Sequence, residues 1–223
     1  MLPRRNIHVW DVRILPRLGD FVSRQDEIHQ ICYNQRTTPT QENMDLTPNF
    51  TLNLTMDIVP PVAKRGRHAL ILLENNHGKY LLGSKDIYPE NVYRMIGGGI
   101  EDGEDALPAA ARELFEETGL DLPPDQLKHL NTITAQMDEA STGKHFTFVT
   151  YLYYVNVGNQ KLTPSDDIQG LKEMTRGDIE LLITEYQQLP KTIDTSEDSN
   201  FSWYDYGQLY GAIHQIALDS LAI

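Results

Sequence analysis

One stretch of 24 residues constrains this chain more than any other: GGGIEDGEDALPAAARELFEETGL, residues 97–120. Three glycines open it, carboxylates accumulate behind them, and the remainder has the pattern of a helix. From residue 98 it carries seven acids, Glu101, Asp102, Glu104, Asp105, Glu113, Glu116 and Glu117, against one base, Arg112. Asp105 stands where an N-cap belongs and Gly119 where a left-handed C-terminal residue belongs. Pro108 falls in the first turn, whose N–H groups need no intrahelical partner. At about 100° per residue, Glu113, Glu116 and Glu117 gather on one side of the helical wheel. Leu107, Ala111, Leu114 and Phe115 form an apolar face roughly opposite. Like charges three and four residues apart cost about 0.2–0.5 kcal/mol per pair, and Glu117 lies at the end the helix dipole least favours for an anion. A solvated surface helix gains nothing from that arrangement. A site for hard divalent cations does, because Mg²⁺ takes carboxylate oxygens and keeps water and phosphate as its other ligands.

The rest of the composition narrows the class. A chain of 223 residues suffices for one good-sized core, or for one domain with an extension. A net charge of −13 excludes holding a nucleic-acid duplex by its phosphates, which needs a clustered basic surface. Phosphate-bearing small molecules stay open to an acidic protein if metal ions stand between the two sets of charge. Cys32 is the single cysteine, so no internal disulfide forms and a reducing compartment is expected. No apolar run approaches the length of a membrane span, so no membrane partner is expected. The opening MLPRRNIHVWDVRILPRL lacks the apolar segment of a secretory signal, and its arginines resemble a transit peptide only faintly. The expected location is cytoplasmic.

Along the chain, RNIHVWDVRILP has strand character and 25–50 is polar and rich in turns. TLNLTMDIV alternates Leu52, Leu54, Met56 and Ile58 with polar residues, the period of a half-buried strand. PPVAKRGR then marks a boundary near residue 66. ALILLE, the turn NNHG and KYLLGS predict a hairpin, and VYRMI predicts a strand leading into the glycines. LKHLNTITAQM and FTFVTYLYYVNV read as strands about the loop DEASTGKH. A polar loop around SDDIQG follows. RGDIELLITEYQQL and WYDYGQLYGAIHQIALDSLAI read as helices. Strands and helices mix without regular alternation, which predicts an α+β sandwich rather than a doubly wound sheet. Tyr151, Tyr153 and Tyr154 are read as sheet packing rather than a platform for a base.

With these residues in place, the acidic segment resembles the Nudix box, G-x5-E-x7-R-E-U-x-E-E-x-G-U with U aliphatic. Gly98, Glu104, Arg112, Glu113, Leu114, Glu116, Glu117, Gly119 and Leu120 fill every position. Chance odds on the order of 10⁻⁸ for the full spacing leave coincidence aside. The proline that often precedes the glycines in the family is Ile96 here, which removes no ligand. The resemblance implies a Nudix-type α/β/α sandwich with a mixed sheet over 67–223, preceded by an extension over 1–66. It implies hydrolysis of a diphosphate linkage in a small-molecule nucleotide, a nucleoside diphosphate joined to another group, with Mg²⁺ or Mn²⁺ as cofactor. Glu113, Glu116 and Glu117, helped by the Gly97 carbonyl, would hold the metal. Arg112 would orient a glutamate, and Glu104 would brace the turn into the helix. Arg94 and Tyr93, on the strand entering the glycines, would touch phosphate and base.

Two other readings stand beside this one. One is a Nudix-fold module that binds a nucleotide without cleaving it, although such modules usually lose a box glutamate and none is missing here. The other makes the acidic helix a structural Ca²⁺ or partner site. The strand over TLNLTMDIV, lying outside the expected domain, needs a surface, which sheet extension in a homodimer would provide. The general base is sought in the box or on an acidic loop, either Asp138 and Glu139 or Asp166 and Asp167. Glu139 is slightly favoured for its reach.

Overall fold

The computed structural model of the chain describes residues 49–191, 193–194 and 201–221. The strand expected in RNIHVWDVRILP, the arginine-rich start and Cys32 lie outside the described residues.

One mixed sheet organises the chain. Its strands are β1 (Asn49–Met56), β2 (Arg67–Asn75), β3 (Tyr80–Lys85), β4 (Ile96–Gly99), β5 (Lys128–Glu139), β6 (Lys144–Gly158) and β7 (Ile168–Met174). They lie in the order β1-β5-β6-β2-β3-β7. β4 shares the β2 edge with β3, pairing antiparallel from His68↔Gly99 to Ile71↔Ile96. β1 with β5 and β2 with β6 run parallel, and the remaining neighbours in the sheet run antiparallel. The hairpin expected around NNHG is β2 and β3. β5 and β6 run further than the sequence suggested, with Glu139 paired to Lys144 across a four-residue turn at 140–143. The strand expected over VYRMI is reduced to one bridge, Gly83↔Arg94, and regular pairing begins at Ile96.

Helices cover both faces, giving the expected α/β/α sandwich. α1 (Pro61–Lys64) is a single turn between β1 and β2. α2 (Ala106–Thr118) covers one face, with Ala109, Ala110 and Leu114 against Ala69, Ile71, Tyr153 and Val155. α3 (Arg176–Gln187) and α4 (Trp203–Ser220) cover the other, with Leu182, Tyr186, Tyr210 and Ile213 against Leu52, Leu70, Phe148 and Leu152. A reciprocal cap starts α3: Thr175 Oγ1 accepts from the Asp178 N–H at 3.2 Å, and Asp178 Oδ2 accepts from the Thr175 N–H at 2.8 Å. Two short strands, β8 (Ile193–Asp194) and β9 (Phe201–Ser202), pair ahead of α4. Among the described residues no helix is long and apolar enough to cross a membrane.

Two expectations change. The strand over TLNLTMDIV does not need cover in trans: it is β1, aligned residue by residue with β5, and Leu52, Leu54 and Met56 are buried in the main core. Its parallel partner comes from far downstream, so no local pattern announces the pairing. The buried side of α2 also differs from the wheel: Glu117 and Thr118 are buried with Ala109, Ala110 and Leu114, while Phe115 is 54% exposed. The helix rests on β4, whose glycines offer no side chains, and this brings the Glu117 side of the helix against backbone.

Candidate active site

The glycines of β4 create the site's shape. Gly97 has φ 131, and a Cβ there would lie 2.1 Å from the Ala69 carbonyl oxygen, so only glycine fits. A Cβ at Gly98 would lie 2.4 Å from Glu113 Oε2, which shows how closely that carboxylate is packed on the strand. Gly119 closes α2 at φ 69, with its N–H donating to the Phe115 carbonyl, as the sequence predicts. Asp105 takes the N-cap position, but its side chain accepts no capping bond.

Arg112 binds the acidic residues together. Its Nε and Nη2 donate to the two oxygens of Glu104 at 3.1 and 3.0 Å, and Nη1 reaches Glu113 Oε1 at 2.8 Å and Glu116 Oε2 at 2.9 Å. Nη2 also donates to the Gly99 carbonyl at 3.1 Å. Glu104 Oε2 accepts the Glu101 N–H at 3.0 Å, so Glu104 fastens the turn ahead of α2 to the helix itself. The hydrogen bonds from Arg112 lower the pKa of Glu104. Burial raises that of Glu113, with the Glu117 and Glu116 charges adding to the rise and Arg112 opposing it. The repulsion read from the sequence is thus partly answered inside the protein.

Glu117 is held differently. Its side chain is 2% exposed; Oε2 accepts the Gly97 N–H at 2.7 Å and Oε1 accepts from Lys85 Nζ at 3.2 Å. Lys85 also bonds both oxygens of Asp167. The Gly97 carbonyl, expected to face a metal, accepts from Arg94 Nη2 at 2.7 Å. Arg94 is 7% exposed, its guanidinium lies 5.3 Å from the Tyr210 ring centroid, and Nη1 donates to the Tyr210 hydroxyl at 3.4 Å. Its grip is on the glycine backbone from within the core. Tyr93 is half-buried; its carbonyl accepts from the Tyr186 hydroxyl and its ring lies under Lys172.

Of the loop acids, Asp167 alone reaches the box, through Lys85. Glu139 is 3% exposed and faces Lys64 at 3.4 Å, on the row of β5 that continues from Ala135 and Met137 into the core beneath α4. Asp138 pairs with His145 in solvent. Tyr151 and Tyr153 pack on the α2 side and Tyr154 on the other, with its hydroxyl donating to Glu74. Sequence reasoning missed Lys85 and the inward turn of Arg94. A lysine at a strand end belongs to no motif, and nothing local distinguishes it.

In kind, the donors suit a hard divalent cation. Glu113 Oε2 and Glu116 Oε1 accept no hydrogen bond from a described residue. The set is not preassembled, since among the described residues no three carboxylates, imidazoles or thiolates converge closely enough to hold an ion. Arg112 stands on the other oxygens of these two, Glu113 Oε1 and Glu116 Oε2, and Lys85 stands on Glu117 Oε1.

A 50-residue stretch is 42% identical to an RNA pyrophosphohydrolase of Sphingopyxis alaskensis, covering 22% of this chain and 32% of that protein. A 51-residue stretch is 43% identical to the RNA pyrophosphohydrolase of Novosphingobium aromaticivorans, with the same coverage of 22% and 32%. The chain thus spans about a third of the length of these curated relatives. The crystal structure of a C. elegans Ap4A hydrolase binary complex is similar over 70% of this chain and 97% of that one, at 20% identity and a TM-score of 0.43. The NUDIX domain family matches residues 64–216, from α1 into α4 and across the whole glycine–glutamate site, and the chain belongs to that family.

Proposed function

We propose that the protein hydrolyses the diphosphate linkage of a small nucleotide, a nucleotide sugar, dinucleotide or nucleoside triphosphate, with Mg²⁺ or Mn²⁺ at Glu113, Glu116 and Glu117. The observation that carries this reading is the joining of a complete box into one ion-paired unit: Arg112 on Glu104, Glu113 and Glu116, and Glu117 on the Gly97 N–H. A bound divalent ion would supply Lewis acidity toward phosphate oxygens and water. The protein's own groups do the rest. The β4 glycines let a phosphate chain approach backbone. Arg112 fixes the rotamers of three glutamates, and the cytoplasm is the compartment in which we place the reaction.

The general base, sought in the box or on an acidic loop with Glu139 slightly favoured, we place in the box. A base needs an open oxygen beside the glycine turn, which Glu113 and Glu116 keep, whereas Glu139 is buried against Lys64. The experiment is a panel of nucleotide sugars, dinucleotides and nucleoside triphosphates with Mg²⁺, read by phosphate release. The names of the two curated relatives add an RNA to that panel. Turnover of no compound with any divalent ion, together with tight binding of one, would instead make this a nucleotide-binding module.

A further inference from the structure

Three cations of the protein hold groups expected to face a metal ion: Arg112 takes one oxygen each of Glu113 and Glu116 and leaves the other unbonded, while Arg94 and Lys85 are held in different ways. Arg94, on the Gly97 carbonyl, is buried over Tyr210, and among the described residues its other acceptor is the buried Tyr210 hydroxyl. Lys85, on Glu117, is the last residue of β3 and already has a second partner. That partner, Asp167, has a side chain 56% exposed, against 15% for Lys85 and 2% for Glu117.

The placement of Asp167 follows from how α2 ends. The loop after β6 closes the helix C-terminus: the Thr163 N–H donates to the Thr118 carbonyl at 2.8 Å and the Ser165 N–H to the Glu117 carbonyl at 3.1 Å. The Ser165 hydroxyl donates to the Glu116 carbonyl. These bonds set Asp167 beside Lys85. The ammonium can therefore leave Glu117 without losing a counter-charge.

From this arrangement we infer that Lys85 is the protein's own counter-ion for Glu117, which a divalent cation displaces onto Asp167, so that Lys85 and Asp167 together set the affinity of the metal site. The inference rests on the proposed reading of Glu113, Glu116 and Glu117 as metal ligands. A carboxylate as buried as Glu117 cannot stand unpaired, because desolvation without a partner is too costly. An ammonium and a divalent ion cannot share it at contact distance either, since they repel in a poorly screened setting. One must yield, and Lys85 has the exit.

Mn²⁺ titration of the full chain, with the electron paramagnetic resonance signal of free Mn²⁺ as readout, tests this without reference to turnover. Lys85→Met keeps the apolar stem and removes the competitor, so Mn²⁺ should bind about tenfold tighter, the scale of one partly buried charge pair. Asp167→Asn removes the exit and leaves Lys85 with Glu117 alone, so binding should weaken by about threefold. Opposite signs in the two variants are the expected result. Unchanged or weaker binding in Lys85→Met would overturn the inference, for Lys85 would then be propping Glu117 for the metal. If Lys85→Met does not fold, Asp167→Asn decides alone, with unchanged or tighter binding the overturning result. A wild-type protein that takes up no Mn²⁺ at millimolar concentration would instead defeat the metal reading itself.

Discussion

A methyl group at Gly98 offers a sharp test of the site, because it presses on one carboxylate and leaves the backbone alone. Gly98 does not have a positive φ, so alanine is allowed there conformationally. The new carbon would meet Glu113 Oε2 at 2.4 Å, and Glu113 Cδ and Oε1 at 2.7 Å, where ordinary contact begins at 3.4 Å. The carboxylate must retreat by about 1 Å, and a displacement of that size in a reacting geometry costs about a hundredfold in rate. That corresponds to about 2.7 kcal/mol of transition-state stabilisation. Gly98→Ala should therefore lower kcat about a hundredfold on the best substrate of the panel, with KM little changed and the melting temperature within a few degrees of wild type. Gly97→Ala is the contrast: its methyl would meet backbone at Ala69, so loss of folded protein is expected rather than loss of rate. Full activity in a folded Gly98→Ala protein would refute the placement of Glu113 in the reacting set.

Other outcomes follow from the same geometry. Glu116→Gln and Glu117→Gln should each lower kcat by at least about a hundredfold with the fold retained, as for a lost metal ligand or its support; full activity in either sinks the assignment. The acidic limb of the pH–rate profile should vanish in Glu116→Gln or Glu113→Gln and persist in Glu139→Gln, and the reverse pattern would return the base to Glu139. Burial lowers His214 to about 4, from an ordinary 6.5. Between those values the unfolded chain binds a proton that the folded chain refuses, so the stability from a neutral His214 is present above 6.5 and is lost as pH falls toward 4. From pH 7 to pH 5 this ring should cost about 2 kcal/mol by urea denaturation, and His214→Phe should abolish that part of the loss. Equal losses in the two proteins would reject this account.

What could be read in advance follows from the range over which each signal acts. The β2–β3 hairpin, α3 and α4 were legible because their signals are local: a four-residue turn and, in each helix, an apolar stripe. The box was legible because its spacing is fixed by one helix and one turn. The partner of β1 was not, because parallel pairing with β5 is made across most of the intervening fold. The inward Arg94, the burial of Glu117 and the reach of Lys85 were hidden for a related reason. Each depends on what a bare glycine strand lets approach it, and a helical wheel contains no neighbour. Glu139 looked reachable as a loop acid, but β5 runs on to that residue and carries it inward with Met137.

The long-range pairing has a consequence for synthesis. Where β1 ends, the N–H groups of Asp57 and Ile58 donate to the carboxylate of Asp205, in the first turn of α4, across 148 and 147 residues of chain. Contacts of such separation require a large loop to close before they give anything back, which slows folding. During translation β1 emerges well before α4, and its edge of the core stays uncovered until α4 leaves the ribosome. Until then the nascent chain presents Leu52, Leu54 and Met56 without their cover, and a chaperone that recognises short apolar strands has its target there.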